Sequence, residues 1–206
     1  MSVLIAAFVV GDFRQAAAQG EGRVPQSVLD QAEVATRAMG QQVLQGNFRI
    51  TLERMYPRWQ KRAAKKLQGG QVELARRLAE IPKEMARQGI SMLNYEVRKP
   101  TSAHEVVLLR GEDKEGQPIN MYLEWLVFVP TRAEYRVIDP KTRLPRKIET
   151  LGFQIAVNKK GTPDWHFIDG RNCSIADLRS FFPSLPRDQK LLGLPQVGGG
   201  EIRREP

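Results

Sequence analysis

Cysteine is nearly absent from this chain of 206 residues, with Cys173 alone. A lone thiol excludes an intrachain disulfide framework and any multi-cysteine zinc site. Histidine is almost as scarce, at His104 and His166, which leaves too few ligands for a histidine-rich metal centre. No metal and no cofactor is therefore expected. Long apolar runs are missing too: none approaches the roughly 20 residues a helix needs to span a bilayer, so a helical membrane channel or pump is excluded. No G-x-S-x-G elbow occurs, and no glycine loop follows a strand to cradle phosphate. The triplet Gly198-Gly199-Gly200 has no helix behind it.

What remains is ordinary globular material. Apolar residues make up 41% and charged residues 27% of the chain, a balance that excludes wholesale disorder and fibrous classes. The length suffices for one sizeable core with tails. Lys and Arg number 32 against 23 Asp and Glu, giving +9. Such a charge attracts polyanions or an acidic partner without selecting between them.

The two ends differ from the middle. Val3 to Val10 is an eight-residue apolar run followed by Ala16-Ala17-Ala18 and Gln19, the order of a secretory signal with a small-residue cleavage site. No basic residue precedes the run, and Asp12 and Arg14 interrupt the approach to the alanines. Export to the periplasm or medium is the expectation, and a flexible arm on a cytoplasmic protein the alternative. Residues 1–24 are thus set apart as signal or arm, residues 25–195 as one domain, and residues 196–206 as a disordered tail with little to bury.

Between the ends, the first half is helical. Val28, Ala32, Ala35, Met39 and Val43 recur at helical spacing between Pro25 and Gln45. Asn47 suits the cap of a second segment that runs to Pro57, and Pro57 suits the first turn of a third helix ending near Leu67. A longer helix from Gln71 to Gln88 carries Pro82, which predicts a kink, and ends at Gly89. After Gly89 the period drops toward 2. Strands are expected at Ile90–Arg98, His104–Arg110, Asn120–Val129, Lys147–Val157 and Trp165–Asp169, the last two as a hairpin. Ser174 is placed to cap a closing helix before Pro183. Helices followed by an antiparallel meander predict an α+β fold: N-terminal helices packed on a curved antiparallel sheet.

Three stretches carry a resemblance to a known family. They are Gly46-Asn47-Phe48 with Met55-Tyr56-Pro57 and Gly69-Gly70; the helix end Met85-Ala86-Arg87-Gln88-Gly89-Ile90; and Trp165-His166-Phe167-Ile168-Asp169 with Phe182-Pro183-Ser184-Leu185-Pro186. In their order over residues 28 to 195 the chain resembles the NTF2-like superfamily of cone-shaped α+β proteins, in particular a bacterial branch of undefined function. The resemblance implies a cavity at the wide end of the cone, an exposed sheet that often serves as a homodimer interface, and members split among enzymes, ligand binders and assembly domains. Fold membership alone does not assign an activity.

Candidate residues follow from the faces of the strands. Tyr122, Glu124, Leu126 and Phe128 share one face of an apolar strand, where Glu124 must be paired, with an arginine as the expected partner, or held in a cavity. Trp165, Phe167 and Asp169 share a face, and His166 points the other way. Glu124, Asp169, His166 and Tyr122, with Asp164 beside them, are the candidates for general acid–base work, and Asp169 beside Gly170 also suits a turn cap. Tyr122, Glu124, Trp165 and Phe167 are the expected ligand contacts. Arg58, Lys61, Arg62, Lys65 and Lys66 fall on one helical face, a stripe that suits a polyanion, with Trp59 beside it as a stacking surface, or simply a solvated helix. Lys141, Arg143, Arg146 and Lys147 form a second basic patch in a proline-flanked loop. His104, at the start of a strand, reads as a loop-end residue, and Cys173 as a structural or incidental thiol, although its place just before the positive end of a helix modestly favours thiolate. The expected function is a non-enzymatic domain that binds a small apolar ligand in the cone or a protein partner on the sheet; the alternatives are a cavity enzyme using Glu124 or Asp169, or a polyanion binder.

Overall fold

The computed structural model describes residues 24–112, 114–139, 141–188 and 192–195, with the backbone alone at Leu108. The expected signal or arm, apart from Val24, and the expected tail lie outside the described residues. Four helices come first: α1 (Gln26–Leu44), α2 (Arg49–Glu53), α3 (Pro57–Lys65) and α4 (Gly70–Arg87). Five strands follow, β1 (Ile90–Val97), β2 (Ser102–Glu112), β3 (Pro118–Ile138), β4 (Pro145–Lys159) and β5 (Trp165–Asp169), and then α5 (Ile175–Phe181). The α+β class is as the change of hydrophobic period predicts.

The strands form one curved antiparallel sheet built on β3. On one edge β3 pairs with β4 over its upper two thirds, Glu124 to Ile138 against Lys159 to Pro145. Its other edge serves two partners in succession, β2 along Pro118–Phe128 and β1 along Thr131–Val137. The sequence pattern ends this strand at Val129, because proline is a poor strand interior residue. The structure carries the strand through Pro130 because that residue falls at the join between β2 and β1. The Pro130 carbonyl accepts from Arg98 N (3.0 Å), and Pro130, which has no N–H, returns no hydrogen bond on that edge.

Local differences have local causes. Asn47 does not cap α2; its amide donates to Gln42 Oε1 at 2.9 Å, and the helix begins after Phe48 instead. α4 runs through Pro82 as a single helix. Ser174 does cap α5, in a reciprocal box with Asp177: Ser174 Oγ accepts from Asp177 N, and the Asp177 carboxylate accepts from Ser174 N.

Both faces of the central sheet are buried. Val97, Val127, Val129, Ala156, Trp165 and Phe167 pack on Ala32 and Met39 of α1. Leu126, Phe128, Ile155, Val157 and Ile168 on the opposite face are covered by Tyr56, Leu178, Phe181, Phe182, Leu185 and Leu192. The broad open sheet face expected for a partner or a second copy is therefore roofed at its centre. At the far end, Arg132 lies between Glu96 (3.3 Å), Glu134 (3.1 Å) and Glu149 (2.6 Å), so that end presents charge and not an apolar surface.

The chain passes from one face to the other along β5. Phe167 N donates to Arg54 O (2.7 Å) and Tyr56 N donates to Phe167 O (2.9 Å), a short parallel pairing that covers the sheet edge. Successive residues of an extended segment point to opposite faces. Met55 accordingly joins the α1 side, Tyr56 joins the core on the other, and Pro57 opens α3.

Helix and sheet come very close at Gly40 of α1, where an added Cβ would stand 2.1 Å from the Tyr95 ring. Helix propensity favours alanine over glycine by about 1 kcal/mol, whereas overpacking costs about 1–3 kcal/mol. Gly40→Ala is accordingly expected to lower the urea unfolding midpoint; a raised midpoint would show that Tyr95 yields without strain.

Candidate functional site

The helices do not fill the α1 side of the sheet. A cavity of about 440 Å³ remains between α1, the α2–α3 turn, α4 and strands β1, β3, β4 and β5. Its walls are apolar and unusually rich in methionine: Met39, Met55, Met85 and Met92 line it, four of the six methionines in the chain, with Phe48 and Phe167. Met side chains are unbranched and adjust to irregular contents. Polar groups gather at one pole, where Tyr135, Gln154, Asp169, Arg171 and Asn172 meet, with Tyr95 beside them.

Each polar residue is placed by a simple local feature. Asp169 ends β5 and caps the 3-10 turn Gly170–Asn172: its Oδ1 accepts from Arg171 N (3.0 Å) and its Oδ2 from Asn172 Nδ2 (2.9 Å). Arg171 Nε lies 3.5 Å from the same carboxylate. The Arg171 stem crosses β4 at Gly152, where a Cβ would come within 3.2 Å of Cδ, so the absence of a side chain there makes room for the arginine.

The phenols of this pole stay protonated well past neutral pH. Burial pushes Tyr95 up to about 12, with the nearby Asp169 charge adding to the effect. Burial likewise raises Tyr135, with Asp169 again acting in that direction. The Tyr95 hydroxyl is buried without a well-formed hydrogen bond, although Thr131 stands among its neighbours.

The expected ligand contacts are divided by the fold. Phe167 lines the cavity, while Trp165 faces two shallower grooves of about 350 and 730 Å³ beside α1. Tyr122 and Glu124 lie on the opposite side of the sheet, on the face of Leu126 and Phe128. Glu124 has a partner, though not the expected arginine: Tyr56 donates its hydroxyl to Oε2 at 3.0 Å. Burial and the Glu124 charge together raise the Tyr56 phenol to about 12. His166 is half-buried on that same far side, where burial and the Arg54 charge lower its pKa. Asp164 pairs with Arg54 at 3.6 Å near the surface. His104 bonds Leu192 O through Nε2 (3.1 Å) and meets Phe128 edge-on.

The basic stripe is partly consumed by the fold. Arg58 donates to Phe181 O (2.8 Å), Arg62 pairs with Asp177, and both guanidiniums lie over the Phe181 ring at 5.4 and 5.3 Å. Trp59 is half-buried and packs edge-on against Phe181. Lys61, Lys65 and Lys66 remain exposed. In the second patch Arg146 pairs with Asp139 at 2.6 Å, across the turn that joins β3 to β4. Cys173 is not activated: burial, with the Asp177 charge, pushes its thiol up to about 12.

Tyr95, Tyr135, Gln154, Arg171 and the methionines are the residues that sequence reasoning missed. Tyr135 lies on the part of β3 beyond Pro130. Gly40 and Gly152, small residues inside regular elements, were the available signal of close approach. Comparison with protein-family models, with curated proteins and with solved structures returns no match.

Raised phenol pKa values carry a definite pH dependence. The neutral form is favoured in the folded chain, so the stability from Tyr56 and Tyr95 is complete below the unfolded value of 10 and fades as pH rises toward 12. Between these values tyrosinate absorbance at 295 nm is expected to lag behind that of the urea-unfolded chain while the urea midpoint falls. Superimposable titrations of folded and unfolded protein would contradict this.

Proposed function

We propose that the protein is a non-enzymatic binding domain, a cone of the NTF2-like kind, that holds a small, largely apolar ligand in the cavity on the α1 side of its sheet. The observation that carries this reading is the character of the cavity: apolar adaptable walls, one polar pole, and about 440 Å³, within the range of small-molecule sites at roughly 300–1,000 Å³.

The enzymatic alternative asks for an available carboxylate or imidazole facing the same space. Asp169 is the one carboxylate of the lining among the described residues, and both of its oxygens already accept hydrogen bonds. Glu124 and His166 lie on the other side of the sheet. Polyanion binding draws less support than the sequence alone lends it, since Arg58 and Arg62 hold α5.

Trp59 lines the cavity and reports on its occupancy. Nile red is expected to bind the folded protein saturably, one per chain, and to quench Trp59. Met85→Trp, which fills a half-buried part of the wall, should weaken the dye at least about tenfold while leaving a cooperative urea transition. Failure of the dye to bind, or equal binding to the filled variant, would reject the reading.

Export belongs to the same proposal, carried by the Val3–Val10 run and the alanines at 16–18. The mass of the protein isolated from its native host should then show loss of the residues through Ala18; a mass that retains them would favour the cytoplasmic alternative.

A further inference from the structure

We infer that the ligand is a medium-chain aliphatic carboxylate, its head held by the guanidinium of Arg171 and its chain lying among the methionines. This rests on the cavity reading above and adds the chemistry of the two ends of the ligand.

The head group is argued from Arg171. Asp169 engages its backbone N and its Nε, and Asn172 braces the other oxygen of that carboxylate. Arg171 lines the cavity with about half of its side chain open to solvent, and its terminal Nη atoms carry no hydrogen bond among the described residues. The guanidinium is thus oriented through Nε and its stem is seated over Gly152, with the outer fork unused. A planar fork of that kind matches a carboxylate through two parallel N–H···O bonds.

The surrounding groups select an anion over a cation. Tyr95 and Tyr135 are protonated phenols and therefore available donors, and the buried Tyr95 hydroxyl lacks a well-formed bond of its own. The one carboxylate at this pole is already engaged. A single negative charge suits the site better than a double one. One guanidinium lines the cavity and the Asp169 carboxylate lines it too, 3.5 Å from Arg171 Nε, so a phosphate dianion would meet repulsion from that carboxylate without a second cation to offset it.

The tail is argued from the walls. Met39 and Met85 of α1 and α4, Met55 of the α2–α3 link and Met92 of β1 present flexible thioethers, a lining that re-packs around a chain able to bend. A volume of about 440 Å³ accommodates a medium chain more readily than a long one.

Isothermal titration with decanoate, decanol and decylammonium, each below its micellar concentration at neutral pH, tests the inference. Decanoate is expected to bind one per chain and at least about tenfold more tightly than decanol, with decylammonium weakest. Arg171→Gln should abolish the preference for decanoate and leave decanol unchanged. Arg171→Lys, which keeps the charge but loses the fork, should retain part of it. A cooperative urea transition for each variant verifies folding. Equal binding of decanol and decanoate, or a preference that survives Arg171→Gln, overturns the inference while leaving the cavity reading intact. If neither these amphiphiles nor Nile red binds the unaltered protein, both fail.

Discussion

The backbone ladder along β3 is the constraint to which the rest of the molecule is registered. Because successive residues of a strand face opposite sides, its pairing with β4 from Glu124 to Ile138 decides at once which side chains meet α1 and which meet α5. A slip of one residue would exchange Val127 and Val129 for Leu126 and Phe128, and both cores would lose their partners. Pro130 secures the point where the opposite edge passes from β2 to β1. It accepts from Arg98 N there and, having no N–H, donates to neither partner strand.

The pairing of Arg54–Tyr56 with Phe167 works from the other edge of the sheet. It closes β5 against further strands and carries the chain between layers within three residues. That crossing divides the roles of adjacent side chains. Met55 belongs to the cavity, whereas Tyr56 is buried with Phe182 at 5.4 Å and bonds Glu124. Glu124, the most suggestive carboxylate of the sequence, is thereby a structural group: a half-buried acid accommodated by a buried phenol.

The cavity exists because the two layers are matched unevenly. At Gly40 the helix comes close enough to Tyr95 that no side chain fits between them, and Val127, Val129 and Ala156 close the space beneath α1. Toward α4 the facing residues are methionines and half-buried Leu78 and Met85, which leave space unfilled. Hollow interiors cost dispersion contacts that a packed core would make. The opposite face shows the contrast: Phe128 meets Phe153 edge to face at 6.0 Å, and Phe181 meets Phe182 likewise at 6.3 Å. Part of the basic character of the chain is spent on that packing, since Arg58 and Arg62 clamp the Phe181 end of α5.

The local features were legible in the letters. The helical period before Gly89, the alternation after it, the Ser174 cap and the shared face of Trp165, Phe167 and Asp169 all follow from short-range rules and recur in the structure. The residues that make up the polar pole were not legible, and the reason is physical. Tyr95, Tyr135, Gln154 and Arg171 come from four separate segments, and nothing in the spacing of one segment encodes the partner of another. Pro130 read locally as a strand end; its neighbours across the sheet made it an interior residue. By itself the sequence determined the elements and the faces they expose, because those depend on neighbours a few positions away. Only the tertiary structure decided that Glu124 and Asp169 lie on opposite sides of the sheet and that an arginine shares the hollow with methionines, because register and layer order depend on contacts between residues far apart in the chain.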